Sequence, residues 1–576
     1  MGSMKFEALV LLPFILSFLL LQQSRAEVTP AAPADPGVIC NGTRYPDFCK
    51  SVLPLGRWGN LYDYGRFSVA RSLSQARKFS RMINKQLARR SSLSQLAVRA
   101  LEDCELLSGL NIDFLSSTAE ALNVSNNLLD PQAERAQTLL SALLTNQQTC
   151  LDGLKLASSE WNLMNGLSVP LSNDTKLFSL SLALFSRAWV HGKNKKSNVG
   201  RGFVRGAEFS MRRVLLFDDA NSGEDGRLPL TMSRRNREIF EWATGRRLLQ
   251  APSSNQILVR DVVIVSKGKN RNFTTIGDAV KSAPDNTDVK SGYFLIYIVA
   301  GVYEEYVDVP KNKKYLMMVG DGINRTIITG KRNVVDGWTT FNSATFAVLG
   351  QGFVAINITF RNTAGAAKHQ AVAVRNGADQ STFHRCSFEG YQDTLYTHSL
   401  RQFYRQCDIY GTVDFIFGNA AVVFQACNLY ARLPLTGQKN MVTAQGRTDP
   451  NQNTGTSIQG CRILAAPDLA KSGSNAKTYL GRPWKLYSRT IVMQSFLDQL
   501  INPAGWLPWD GDFALSTLFY AEFRNTGPGA GTTGRVKWPG LRVINATDAL
   551  NFTVANFIVG DKWLPTTGVS YLSGLT

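Results

Sequence analysis

The chain has 576 residues, 44% of them hydrophobic, and a formal net charge of +19. That hydrophobic fraction is enough for two domains with cores of their own, and no segment after the leader reaches the ~18 apolar residues of a membrane-spanning helix. A basic excess on this scale points to a polyanionic partner, either nucleic acid or an acidic polysaccharide.

Met4 to Leu21 carries one basic residue and a run of Leu, Ile, Phe and Val, followed by Ser24-Arg25-Ala26. Small residues at the first and third positions of that triplet fit a cleavage site, so residues 1–26 read as a secretory signal peptide. An uncleaved membrane anchor is the rival, but the apolar core is short for a span. The mature protein is then expected outside the cell and free of the membrane. Eight cysteines suit that compartment. They fall into two groups, Cys40, Cys49, Cys104, Cys150 and Cys386, Cys407, Cys427, Cys461, which argues for two domains. No CxxC pair or His-Cys cluster occurs, so structural zinc is not expected. Asn-x-Ser/Thr sequons, at Asn123 and Asn173 among others, fit secretion. For a secreted protein an acidic polysaccharide is the better polyanion, and nucleic acid is set aside.

Residues 34–188 read as a helical domain. Leu93–Leu110 and Pro131–Leu156 place apolar residues at three- and four-residue spacing among Ala, Leu, Gln and Glu. Several such segments with short breaks suggest a four-helix bundle. Cys40 and Cys49 are close enough to close a small hairpin, and Cys104 and Cys150 would join two helices. Residues 189–250 change to Lys, Arg, Gly and Ser and read as a linker. It ends in Arg246-Arg247-Leu248-Leu249, a dibasic stretch suited to processing.

From residue 255 to 570 the pattern switches to short strands such as Leu295-Ile296-Tyr297-Ile298-Val299 separated by Gly, Asn and Asp. Cys386, Cys407 and Cys427 recur at spacings of 21 and 20, each followed two residues later by Phe388, Ile409 or Leu429. A repeat of that length, one strand per turn, is the signature of a parallel β-helix. Gly390-Tyr391-Gln392-Asp393 and Gly411-Thr412-Val413-Asp414 share the period, so Asp393 and Asp414 should stack in adjacent coils. Two close carboxylates resist joint ionisation and can divide acid and nucleophile roles. Cys407 and Cys427 should stack likewise, within disulfide range; a disulfide is expected, with a column of free thiols as the alternative. Residues 250–576 hold 32 Lys/Arg and 22 Asp/Glu, so about half of the basic excess belongs here.

Three further stretches have a motif-like setting: Gln370-Ala371-Val372-Ala373-Val374-Arg375 one coil before Gln392, Leu480-Gly481-Arg482-Pro483-Trp484, and Gly301-Val302-Tyr303-Glu304-Glu305. With the two aspartate motifs and Gly527-Pro528-Gly529-Ala530, they resemble the signature of the pectin methylesterases, esterases of plant cell walls. The helical segment, with its four cysteines and Ala142-Leu143-Leu144-Thr145 before Thr149-Cys150, resembles the pectin methylesterase inhibitor domain. The resemblance implies a right-handed parallel β-helix behind an all-α bundle. It implies Asp414 as nucleophile, Arg482 holding it ionised, Asp393 as general acid and then base, and Gln392 and Gln370 as oxyanion donors. Thr340, Trp484 and Phe415 would contact substrate beside Gln370 and Arg482. No metal or organic cofactor is implied. The expected partners are pectin (homogalacturonan), pectinesterase-inhibitor-type proteins and a subtilisin-like processing protease. A monomer in the cell wall is expected.

A β-helix glycosidase would also use paired carboxylates, but the Gly-His-Gly stretch of the polygalacturonases is absent. A serine esterase would want Gly-x-Ser-x-Gly, which does not occur. A catalytically silent inhibitor or binding protein is the alternative from another class.

Overall fold

The computed structural model describes residues 29–54, 59–157, 161–190, 230–245, 257–268 and 271–576. The expected signal peptide and the Arg246–Leu249 stretch lie outside these. No helix among the described residues is long and apolar enough to cross a membrane.

Two short helices, α1 (Pro36–Cys40) and α2 (Pro46–Val52), are joined by the Cys40–Cys49 disulfide. Four long helices follow: α3 (Leu61–Leu87), α4 (Gln95–Val124), α5 (Asp130–Leu156) and α6 (Trp161–Trp189). Their starts are written in the sequence. Asn60 caps α3 reciprocally with Asp63, and Ser94 caps α4 by accepting from the Ala97 amide. Cys104 and Cys150 tie α4 to α5 with their Cα atoms 4.8 Å apart. Both expected pairings in this domain are present.

α5 departs from ordinary amphipathicity. Residues 138–147 are buried all round, including Ser141, Thr145, Asn146 and Gln147. A helix so enclosed lies between two layers, and polar groups there need partners. Several find them on the second domain: Thr145 Oγ1 accepts from Asn419 Nδ2 at 2.8 Å, and the Ser141 carbonyl from Gln452 Nε2 at 2.8 Å.

The expected linker contains order at its end. Strand β1 (Leu230–Thr231) and helix α7 (Arg234–Thr244) precede β2 (Ile257–Val265), and β1 pairs with β2 in parallel. From β2 onward the chain winds as a parallel β-helix; with β1 included, its three sheets have twelve, eight and seven strands among the described residues. Phe360, Phe388, Ile409, Leu429, Ile463 and Leu497 stand in register in the eight-stranded sheet. All six are fully buried and form one column of the core.

Each coil turns toward that column through one residue with positive φ: Arg385, Gln406, Ala426 and Gly460, each followed by a cysteine. The expected Cys407–Cys427 disulfide is absent; all four thiols are free and buried. In-register parallel strands keep side chains parallel at about the 4.8 Å strand spacing, whereas a disulfide needs Cβ atoms roughly 3.5–4.5 Å apart. Each thiol instead donates to a carbonyl of the preceding coil, Cys407 to Phe383 at 3.4 Å and Cys427 to Tyr404 at 3.5 Å.

Candidate active site

Asp393 and Asp414 occupy equivalent corners. Each lies two residues before the register partners Leu395 and Ile416, and the Asp393 amide donates to the Val413 carbonyl at 3.1 Å. Both have left-handed backbone, φ 62° and 52°. Aspartate tolerates that region better than most residues, and strain held at a corner commonly marks a working site. Arg482, from strand Thr478–Pro483, forks onto Asp414 with Nε to Oδ1 at 2.8 Å and Nη2 to Oδ2 at 2.7 Å. This geometry gives the strongest, most oriented ion pairs.

Burial and the Asp414 charge push Asp393 well above the ordinary carboxylate range, against a smaller opposing pull from Arg482. Burial also raises Asp414, but Arg482 opposes it through both hydrogen bonds and charge. Asp393 is therefore the member that keeps its proton, and Asp414 the one that ionises first. The pair titrates as a unit.

A cavity of about 260 Å³ opens over these carboxylates. Gln370, Gln392, Thr340, Arg482 and Trp484 all line it. The Ala371 amide donates to the Gln392 carbonyl at 3.2 Å, the parallel-ladder bond that sets Gln370 beside Gln392 in the adjacent coil. Among the described residues neither glutamine side chain has a hydrogen-bond partner, which leaves both amides free for a ligand. Gly446 seats Trp484: a Cβ there would meet the indole at 2.8 Å.

Phe415 does not reach the cavity. It is fully buried in the solenoid core, because the left-handed turn at Asp414 breaks the alternation and sends the next side chain inward. Phe417 takes the expected place. The sequence reading also missed Tyr396, Phe341 and Trp509. Tyr396 and Phe417 were detectable: they are 21 apart, register partners, and stack at 4.2 Å. Trp509, under the Arg482 guanidinium at 4.3 Å, lies on a long loop with no repeat partner to reveal it.

The helical domain forms the cavity's remaining wall with Asp103, Thr149, Asp152, Gly153 and Leu156. Lys485, beside Trp484, donates to Asp152 at 2.9 Å, and Thr149 shares a 3.0 Å hydrogen bond with His398 Nε2. Arg99 stacks on Trp338 at 3.7 Å and donates to the Gly337 carbonyl. Phe79, Ile83, Leu167 and Leu171 share one apolar cluster with Phe341, Tyr396, Phe417 and Ala444. Among the described residues no hydrogen bond from the bundle reaches Asp393 or Asp414, so the cleft is roofed without its chemistry being engaged.

Asp103 makes the docking pH-sensitive. It accepts from Thr339 and Asn342 across the interface, and burial raises it to about 7, against the Thr339 bond and the Arg375 charge, with Glu102 adding to the rise. Undocked, it returns toward about 3.9. A carboxyl raised by docking binds more protons docked, so the stabilisation is complete below the undocked value and is lost as pH rises through about 7. The full span is on the order of 4 kcal/mol. Affinity of the separate bundle for the β-helix domain, measured by calorimetry, should fall between about pH 4 and 7 and level off above, and Asp103→Asn should flatten that dependence. An unchanged slope in Asp103→Asn would remove Asp103 as its origin.

A family profile described as Pectinesterase matches residues 261–561, and one described as Plant invertase/pectin methylesterase inhibitor matches residues 37–184. The chain is 57% identical over 544 residues to the Arabidopsis thaliana protein named "Probable pectinesterase/pectinesterase inhibitor 41", covering 93% of this chain and 94% of the relative. It is 46% identical over 496 residues to pectinesterase/pectinesterase inhibitor PPE8B of Prunus persica, covering 84% of this chain and 85% of that one. Among solved structures, pectin methylesterase from carrot aligns over 98% of its chain with 54% of this one, at 58% identity and a TM-score of 0.53.

Proposed function

The chain belongs to the pectinesterase family of carboxylic ester hydrolases and carries an inhibitor-type helical domain ahead of the catalytic one; from that premise we propose that Asp414 opens the methyl esters of pectin by direct attack. The observation that carries this reading is the pair of stacked aspartates with only one of them forked by Arg482. Asp414 adds to the ester carbonyl carbon, and the negative oxygen that develops is stabilised by the Gln370 and Gln392 amides. As the tetrahedral carbon collapses, the C–O bond to methoxide breaks and Asp393 gives up its proton to form methanol. Asp393, now ionised, takes a proton from water, whose oxygen attacks the acyl carbon. The acyl–Asp414 bond breaks, releasing free galacturonate and restoring both carboxyls. The high set point of Asp393 suits it to hold a proton until the leaving group needs it. Trp484, Tyr396 and Phe417 offer flat apolar faces for sugar rings.

The reading requires methanol release from methylated pectin without shortening of the polymer. Shortening without methanol would favour a glycosidase. Against that rival, both carboxylates project from neighbouring coils of one wall, whereas acid and base of a glycosidase flank the scissile bond. Gln392→Ala should lower kcat roughly 100- to 1,000-fold with little change in KM. A raised KM at unchanged kcat would make Gln392 a ground-state binding residue instead.

The helical domain acts as a built-in inhibitor by roofing the cleft against a polymer, and a cut by a subtilisin-like protease at Arg246-Arg247-Leu248-Leu249 begins its release. The leader directs the chain to secretion, and the basic charge holds the monomeric enzyme in an anionic wall.

A further inference from the structure

β1 and α7 belong neither to the helical bundle nor to the regular coils. β1 extends the twelve-stranded sheet by pairing Leu230 with Ile257 and Thr231 with Leu258. Ser233 caps the start of α7 by accepting from the Asn236 amide, and Gly245, at φ 63°, ends it. β1, α7 and β2 thus form a strand-helix-strand unit in which the helix returns over the sheet. Phe240 of α7 meets Tyr297 edge-on at 5.6 Å and shares an apolar cluster with Leu230, Met232, Ile257 and Val259. The Asn236 side chain donates to the Arg260 carbonyl at 2.9 Å. The strand pairing, the Phe240–Tyr297 contact and the Asn236 bond each join residues on opposite sides of Arg246–Leu249.

We propose that residues 230–245 are a clasp that keeps the helical domain on the catalytic domain after the chain is cut at Arg246–Leu249. The inference rests on the reading of that stretch as the processing site and of the bundle as an inhibitor. A cut between α7 and β2 breaks a peptide bond and leaves the sheet pairing, the apolar face and the Asn236 bond in place. The severed fragment then holds the catalytic domain at two separate places, the bundle interface and the clasp, joined by its own chain. When one site lets go, the other keeps it nearby at high effective concentration, so two linked sites typically bind 100- to 10,000-fold tighter than one. Cleavage therefore yields a silent two-chain complex. Activity appears only on a later event: dilution, loss of the bundle interface, or a second cut between the bundle and β1.

The test uses the full secreted chain with residues 246–249 replaced by the site of a sequence-specific protease. After cutting, the two pieces should co-elute on gel filtration at micromolar concentration and release little methanol. The concentration at which half the activity returns should lie about 100-fold higher for the cut Leu230→Ser/Phe240→Ser chain than for the cut parent. A synthetic peptide of residues 229–245 should also bind residues 250–576 saturably, reported by Trp242, which is 61% exposed, and the Phe240→Ser peptide should not. This arm needs no variant protein to fold. Immediate separation of the parent pieces at micromolar concentration, or equal half-recovery in both chains, would overturn the clasp. Full activity of the uncut chain would instead overturn the inhibitory reading, and the peptide arm would still decide the clasp.

Discussion

Asp414→Ala in the domain spanning residues 250–576 is expected to reduce kcat/KM for methanol release roughly 10,000- to 1,000,000-fold, the range seen when a nucleophile is removed from a preassembled site. The carrot structure, which aligns over nearly its whole chain with about half of this one, shows that a catalytic domain of this extent stands alone. Asp414 is singled out over Asp393 by its partner. Two hydrogen bonds from Arg482 fix both oxygens and keep the carboxylate charged in a site otherwise hostile to charge. Asp393 has no such support and is driven toward its acid form by burial and by Asp414.

That division sets the pH profile. On the proposed roles, the acid limb of kcat/KM is expected to report ionisation of Asp414 and the alkaline limb loss of the proton from Asp393, both displaced upward from ordinary carboxylates. Asp393→Asn should remove the alkaline limb along with most activity. Arg482→Gln should move the acid limb upward, because the group that favours the charged form of Asp414 is gone. If Asp414→Ala retained activity within tenfold of the parent while Asp393→Ala abolished it, the two roles would have to be exchanged.

What the sequence disclosed followed from repetition. The 21-residue period placed Asp393 beside Asp414 and aligned Phe388, Ile409 and Leu429, because a solenoid converts sequence spacing directly into height along its axis. The same period misled at Cys407 and Cys427. It fixes which coils are adjacent, but not that parallel side chains remain too far apart to bond. Phe415 failed for a related reason, since alternation holds only while the backbone stays extended. Trp509 sits where the period lapses. The clasp was hidden by composition: Ser233 and Gly245 mark a capped helix, but the Arg-rich surroundings read as linker. The docking of α5 was hidden because Ser141 and Thr145 look like a solvent face until a second domain supplies their partners.

The uncut chain is expected to release methanol at least 100-fold more slowly than residues 250–576, and no single interface substitution should undo this. The second half follows from linkage. A tethered domain meets its site at an effective concentration near the millimolar range. If the free bundle binds with Kd below about 1 μM, the uncut chain is open less than ~0.1% of the time. Arg99→Ala removes a stacked guanidinium from Trp338 and a hydrogen bond to Gly337, a loss on the order of 2 kcal/mol at a central contact. That raises the open fraction about 30-fold, to a few per cent at most, so the uncut variant stays largely silent. Added in trans to residues 250–576, the same bundle should show the whole loss as a ~30-fold weaker inhibition constant. Uncut Arg99→Ala as active as the isolated domain would mean that the roof is held by far less than this interface provides. Equal inhibition by parent and variant bundles in trans would mean that Arg99 contributes nothing to docking. The expected pattern, silent in cis and weakened in trans, makes loss of the tether, completed only when the cut pieces part, rather than loosening of one contact, the effective way to open the cleft.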